Sequence, residues 1–352
     1  GVIYDADEAN AKAGEQAVDI PLHQLDLAGK AGGTVGTGAA EEHTLSGAGQ
    51  VEPLLGPPVR EKTHLLRRPI SAKLWKGTVE DGTAYGKIGL LSAKVGNDCE
   101  ALPLGKGETV TLDFGQNMVG QPRFTLRAER GTRMAVLCGE MLNDSGDPAR
   151  GNDGPKGSMY IKNYRSATAR LVYVASGNGI ETYFPTHSFF GFRYLEIRAD
   201  REVDVLSVAG EVICSDFTET ADFYCDNPEV NRLYSNIVWG MRGNYFSAPT
   251  DCPQRDERLG WTGDTQIFAG AASYLADIRP FMHKWLGDAR DSQQGFDGAY
   301  CDVIPRVFTG NNGNAAWGDA CLIVPNKLYE MYGDKEILEE HFASMEYYMQ
   351  YL

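Results

Sequence analysis

The chain has 352 residues, enough for two domains or three small ones. Apolar residues make up 42% of it and charged residues 23%, an ordinary globular balance, and no run of ~18 apolar residues is present to span a membrane. A formal charge of −15 argues against a nucleic-acid surface, which needs clustered Lys and Arg, and suits a neutral partner such as a sugar.

Residues 11–50 are rich in Gly, Ala, Thr and Glu with little period, and read as a loop or low-order insertion. The Gly-rich 29–38 segment follows no strand signal and does not resemble a phosphate-binding loop. Pro53, Pro57 and Pro58 then punctuate the approach to a more regular region. From about Thr109 to Cys214 the texture is β. The runs TVTLDF, QPRFTLRAE and RMAVLCGE alternate apolar and polar residues, with Gly115, Gly120 and Gly131 expected as turns between them. Further runs, including FFGFRYLEIRA and DVLSVAGEVIC, continue the pattern with no helix between them, which predicts a β-sandwich or jelly roll.

At Cys225 the period changes. Asp226 or Asn227 can cap a helix, Pro228 suits its first turn, and Glu229 complements the dipole. An apolar stripe follows at Val230, Leu233, Tyr234, Ile237, Val238 and Met241. Ile267, Phe268, Ala271, Ala272 and Leu275 predict a second helix, Phe281 to Ala289 a third, and a fourth begins near Trp317 with a kink at Pro325. The last stripe, Leu338, Phe342, Met345, Met349 and Leu352, runs to the final residue without a stop signal. About five one-sided helices do not close a large helical domain, so the C-terminus is expected to be a cut. The first residue is Gly1, with no signal peptide before it, which likewise points to a trimmed or excised chain. Seven cysteines are scattered without zinc or disulfide spacing, favouring free thiols and a reducing, cytoplasmic compartment.

The densest polar cluster lies between the first two helices. Four carboxylates (Asp251, Asp256, Glu257 and Asp264), Arg255, Arg258 and Trp261 occupy 14 positions, framed by Pro249, Pro253, Gly260 and Gly263. Carboxylates serve as general acid or base, Arg bonds hydroxyl oxygens, and Trp stacks on the apolar face of a sugar ring. Composition alone favours a merely solvated loop, but Trp261 and the Pro/Gly framing count against it. Asp256 reads as a structural ion pair with an arginine. Asp288, Asp291, Asp297 and Asp302 are too dispersed for a calcium loop.

The segment DCPQRDERLGWTGD resembles the hallmark of the bacterial α-L-rhamnosidases, inverting glycoside hydrolases with β-domains and an (α/α)6 barrel. The likeness runs in order. GVIYDAD and GPPVRE look like the exit from an N-terminal β-domain, while DFGQNMVG, GEMLNDSG and HSFFGFRYLEI look like the next β-domain. DNPEVNRLYSNIVWGMRGNY and AAWGDACLIVPNKLYEMYGD resemble barrel helices. The resemblance implies a multidomain β + α fold: residues 1–105 an N-terminal β-domain remnant with the insertion, 106–215 a β-sandwich, and 216–352 a partial barrel. It implies that Glu257 is the general acid, that Asp251, Arg255 and Asp264 hold rhamnose hydroxyls, and that Trp261 and Trp317 line the pocket, with Asp319 behind Trp317. The partner it implies is a rhamnose-containing glycoside or polysaccharide, with no organic cofactor, metal, nucleic acid or membrane involved.

A general acid must carry its proton near neutral pH, so a carboxyl with an ordinary value of about 4 needs burial or neighbouring carboxylates to raise it. Arg255 and Arg258, aimed at Glu257, would act the other way. The family's base is a glutamate far downstream. Glu330, Glu336, Glu339, Glu340 and Glu346 read instead as solvent-facing helix charges, so the base is expected to be missing from these 352 residues. A non-catalytic carbohydrate-binding or structural fragment is the alternative, and an inverting glycosidase of different sugar preference a third reading.

Overall fold

A computed structural model describes residues 2–3, 56–307, 310 and 312–352. The expected insertion at 11–50 and its Gly-rich 29–38 segment lie outside the described residues. In chain order the strands are β1 (Val2–Ile3), β2 (Val59–Glu61), β3 (Ser71–Val79), β4 (Lys87–Val95), β5 (Leu102–Leu104), β6 (Thr109–Ala128) and β7 (Arg133–Gly139). Then follow β8 (Met141–Leu142), β9 (Met159–Tyr160), β10 (Arg170–Val174), β11 (Ile180–Tyr183), β12 (Phe190–Ala199), β13 (Val203–Ser215) and β14 (Thr218–Glu219).

Antiparallel pairing runs in the order β1-β10-β7-β12-β6-β13-β2, with β3 and β11 also on β6, β4 on β3 and β5 on β13. The alternation in the sequence is what builds the core. Val110, Leu112 and Phe114, then Phe124 and Leu126, then Val136 and Cys138, point one way and are almost fully buried against Phe192, Leu195 and Ile197. Phe114 and Phe192 meet edge to face at 5.7 Å.

Two of the expected turns are not turns. TVTLDF and QPRFTLRA form one 20-residue strand, β6, with Gly115 and Gly120 inside it. The register against β12 jumps between Phe192 and Tyr194, and Gly115 sits in the looped-out stretch at φ +72. Gly120 answers a different need: a Cβ there would lie 2.1 Å from the Glu211 carbonyl oxygen on β13. Gly131 is a turn residue, at φ +82.

Helices take over after β13: α1 (Pro228–Asn244), α2 (Thr262–Leu275), α3 (Arg279–Ser292), α4 (Ala320–Tyr332) and α5 (Lys335–Tyr351). Asn227 caps α1, its side chain accepting from the amides of Glu229 and Val230. Short pairs β15 (Tyr245–Phe246) with β16 (Ala248–Pro249), and β14 with β17 (Ala276–Asp277), brace the helix ends. The helical core gathers Tyr245, Phe281, Met282, Trp285, Tyr300 and Tyr348, with Tyr245 stacked on Phe281 at 4.8 Å. α4 runs through Pro325 as a single helix. No helix among the described residues is long and apolar enough to cross a membrane, and all seven cysteines are free thiols.

The helical stripes are only partly used. On α1, Val230 and Leu233 are exposed, because only its C-terminal part leans on the β-domain, where Met241 and Gly243 are buried. Ile267 on α2 is 81% exposed. On α5 the inward face is Ile337, His341, Ser344 and Tyr348, while the expected stripe residues Phe342, Met349 and Leu352 face outward. Hydrogen bonds explain this inward choice: Gln293 donates to the Ser344 carbonyl, Tyr300 and Ser344 share a hydroxyl contact, and Tyr348 donates to Asp319.

Candidate active site

The segment between α1 and α2 is a closed loop with a neck. The amide of Asp251 donates to the Leu259 carbonyl, and the Leu259 amide donates back to Asp251 Oδ1 at 2.9 Å. Inside this neck the Arg258 amide donates to the Cys252 sulfur, with Arg258 at φ +53. Gly260 pairs with Ile304, whose amide donates to the Gly260 carbonyl at 2.9 Å, and Trp261 bridges Val303. This pairing delivers the chain into α2, whose first turn carries Asp264.

Within the loop Arg255 is the link. It donates to Asp251 Oδ2 at 3.0 Å and to Glu257 Oε2 at 2.7 Å. The side chain of Asp251 is 5% exposed, whereas that of Glu257 is 24% exposed. Arg258, the other expected neighbour, turns away and places its guanidinium over the Phe189 ring. The second cation on Glu257 comes from elsewhere: Arg165 of the β-domain donates to Oε2 at 2.8 Å. Asp256 accepts from the Ser166 amide and hydroxyl and lies 3.7 Å from Arg165. The Ser166 hydrogen bonds hold its carboxyl below the ordinary value. That fits the structural reading of Asp256.

Trp261 and Trp317 meet edge to face at 6.5 Å. Trp317 also covers the start of α2, so a Cβ on Gly263 would stand 3.3 Å from its indole nitrogen. Asp319 holds the turn behind Trp317, accepting from the Ala316 amide at 2.9 Å and from the Tyr348 hydroxyl. A cavity of ≈540 Å³ between α1 and α2 is lined by Tyr245, Asp251, Asp264 and Phe268. A second, of ≈380 Å³, lies against the β-domain and is lined by Asn117, Glu140, Trp239, Asp251 and Arg255. Asp251 therefore joins the two cavities. Glu257, Trp261 and Trp317 line neither of these two.

Two carboxyls at the site are raised. Partial burial in the wall of the cavity between α1 and α2, helped by Asp251, raises Asp264. Burial raises Glu140, against hydrogen bonds from Asn117 and Gln254. For Asp264 this has a stability consequence. A raised carboxyl favours the folded state while protonated, below its ordinary value of 3.8, and that contribution is lost as pH rises through the folded value. Asp264→Asn is therefore expected to melt at a higher temperature than wild type at pH 7 and at the same temperature near pH 3, measured by calorimetry at both.

Asp251, Cys252 and Glu257 bring one ligand atom each within 4.8 Å. Arg255 already bridges the two carboxylates, and burial pushes the Cys252 thiol up to about 11, so a cation there has to displace a guanidinium and a proton.

The residues that the sequence reading did not single out are Tyr164, Arg165, Ser166 and Glu140. All four stand in the β-domain; Glu140 falls within the GEMLNDSG run, and the other three fall in no quoted motif. Arg165, Ser166 and Glu140 are marked by hydrogen bonds to the loop, and Tyr164 by its bond to Gly191 beneath it.

Residues 104–214 match the family described as the bacterial alpha-L-rhamnosidase concanavalin-like domain, and residues 218–352 match the bacterial alpha-L-rhamnosidase 6 hairpin glycosidase domain. An α-L-rhamnosidase of Streptomyces avermitilis is 43% identical over 242 residues, 68% of this chain and 22% of that protein. One of Formosa agariphila is 38% identical over 243 residues, 68% of this chain and 25% of that protein. The crystal structure of the Streptomyces avermitilis α-L-rhamnosidase complexed with L-rhamnose superposes with a TM-score of 0.67 at 35% identity, covering 85% of this chain and 25% of that one. The chain thus spans about a quarter of the length of the relatives it matches. With a sandwich domain followed by part of a six-hairpin helical domain, this chain belongs to the bacterial α-L-rhamnosidase family.

Proposed function

We propose that the loop from Asp251 to Asp264 is the sugar site of a glycoside hydrolase that removes terminal non-reducing α-L-rhamnosyl residues with inversion. Arg255 carries this reading, because it ties Asp251 and Glu257 into one constellation beside Asp264. In the proposed roles Asp251, Arg255 and Asp264 bond the sugar hydroxyls, Trp261 and Trp317 present their apolar faces to the ring, and Glu257 donates its proton to the bridging oxygen. Water attacks the anomeric carbon from the opposite face as the carbon–oxygen bond to the leaving group breaks. A second carboxylate takes the water's proton, and inverting pairs stand roughly 6.5–9.5 Å apart. The division proposed for the chain keeps 106–215 as the sandwich and 216–352 as barrel, and it assigns β2 to β5 to the sandwich as well, because they pair into the same sheet as β6 and β13.

A second reading, carbohydrate binding without turnover by these 352 residues, draws on the downstream glutamates. Glu330, Glu336, Glu339, Glu340 and Glu346 all lie on the exposed surfaces of α4 and α5. One pair of measurements separates the readings: calorimetric titration with L-rhamnose, and hydrolysis of an aryl α-L-rhamnoside. Binding with turnover supports the hydrolase, binding alone supports the second reading, and neither sinks both.

A further inference from the structure

The hallmark loop is held from the β-domain side by one corner, Tyr164 to Ser166. Tyr164 is fully buried, and its hydroxyl donates to the Gly191 carbonyl at 3.2 Å. Gly191 in turn supports the loop, since a Cβ there would come 2.8 Å from the Cβ of Gln254. The next residue, Arg165, is a non-glycine at φ 58 and ψ −115. Such a conformation costs energy and persists where the surroundings enforce it, commonly at functional sites. Here it aims the guanidinium across to Glu257 Oε2, at 2.8 Å, while Ser166 secures Asp256 next door.

Arg255 donates to the same oxygen. Two guanidiniums, one from each domain, thus meet on Oε2, and Oε1 has no hydrogen-bond partner among the described residues. A carboxyl held in this way has a defined acceptor oxygen and a defined free oxygen. We infer that Arg165 is a positioning residue of the proposed acid, supplied by the β-domain: with Arg255 it fixes Oε2 so that Oε1 is the oxygen presented for proton transfer. This rests on the proposed role of Glu257. The other charged groups around it are Asp251 behind Arg255, Asp256 beside Arg165, and Asp264 across the site. Arg165 is half exposed, with 54% of its side chain accessible, so the pair contributes little to stability and its effect is local.

The test compares wild type, Arg165→Met and Arg165→Lys on the full chain. Hydrogen exchange of amides 251–259 is expected to quicken about tenfold in Arg165→Met, with the melting temperature and β-domain exchange unchanged, and to return toward wild type in Arg165→Lys. Where an aryl α-L-rhamnoside is turned over, Arg165→Met lowers kcat about tenfold or more with KM within twofold. Wild-type exchange in Arg165→Met overturns the inference, as does a Lys variant that behaves like Met. Wild type that neither binds nor hydrolyses rhamnosides sinks the functional reading instead, and the exchange measurement still decides whether Arg165 holds the loop.

Discussion

Glu257→Gln is expected to lower kcat on an α-L-rhamnoside about 10²- to 10⁴-fold while leaving L-rhamnose affinity within a few fold. Gln keeps the size of the side chain, and its amide oxygen still accepts from Arg165 and Arg255, so the loop holds its shape. What disappears is the transferable proton. The loss should therefore depend on the leaving group. An alkyl or sugar aglycone leaves as an alkoxide without protonation and suffers the full penalty. A dinitrophenolate leaves readily without help and suffers much less. Steady-state kinetics on both substrates decide the matter: equal losses would remove Glu257 from the acid role, and no loss on either would remove it from the mechanism.

Gly260→Ala should destabilise the helical domain by about 3 kcal/mol, at the upper end of the cost of overpacking. Its new Cβ would lie 1.9 Å from the Ile304 carbonyl oxygen, a backbone atom with no rotamer to escape into. That same oxygen accepts from the indole of Trp285, a fully buried member of the helical core. Moving Ile304 therefore disturbs both the core and the pairing that carries Trp261 into α2. Urea denaturation would register a lowered midpoint at unchanged slope. A midpoint equal to wild type would mean that the 260–304 pairing is looser than its geometry implies.

The raised carboxyl of Asp264 belongs with these two as a case where stability and binding pull apart. In the proposed role Asp264 would meet sugar hydroxyls, while in the empty protein it is disfavoured as an anion. Removing its charge is expected to help the empty protein.

The two-part architecture was legible in the sequence because each part has a strong one-dimensional signal. The period of two in Val110, Leu112 and Phe114, and in Phe124 and Leu126, follows from a strand that buries one face. The Asn227-Pro228-Glu229 start of α1 follows from the unpaired amides that every helix end leaves. The loop from Asp251 to Asp264 stood out through its resemblance to the family's hallmark segment, since its composition alone favours a solvated loop. Which carboxylates converge was another matter. The pairing of Arg255 with Asp251 and Glu257, rather than of Arg258, depends on Arg258 turning its guanidinium toward Phe189 on the β-domain.

Helix faces misled where periodicity counts apolar residues but packing counts satisfied contacts. α5 buries His341, Ser344 and Tyr348 and leaves Phe342 and Met349 outside, because Gln293, Tyr300 and Asp319 are there to satisfy polar groups that no spacing rule assigns. Chain order also gives no warning that Gly115 and Gly120 lie within one long strand. Arg165 is the clearest instance of what only the tertiary structure decided. It lies 92 positions before Glu257, on a different domain and in no motif, and reaches that carboxylate only because the two domains pack with Tyr164 and Gly191 under the loop. Local pattern reports what a residue does to its own backbone. Long-range electrostatic contacts exist only once the chain has closed around them.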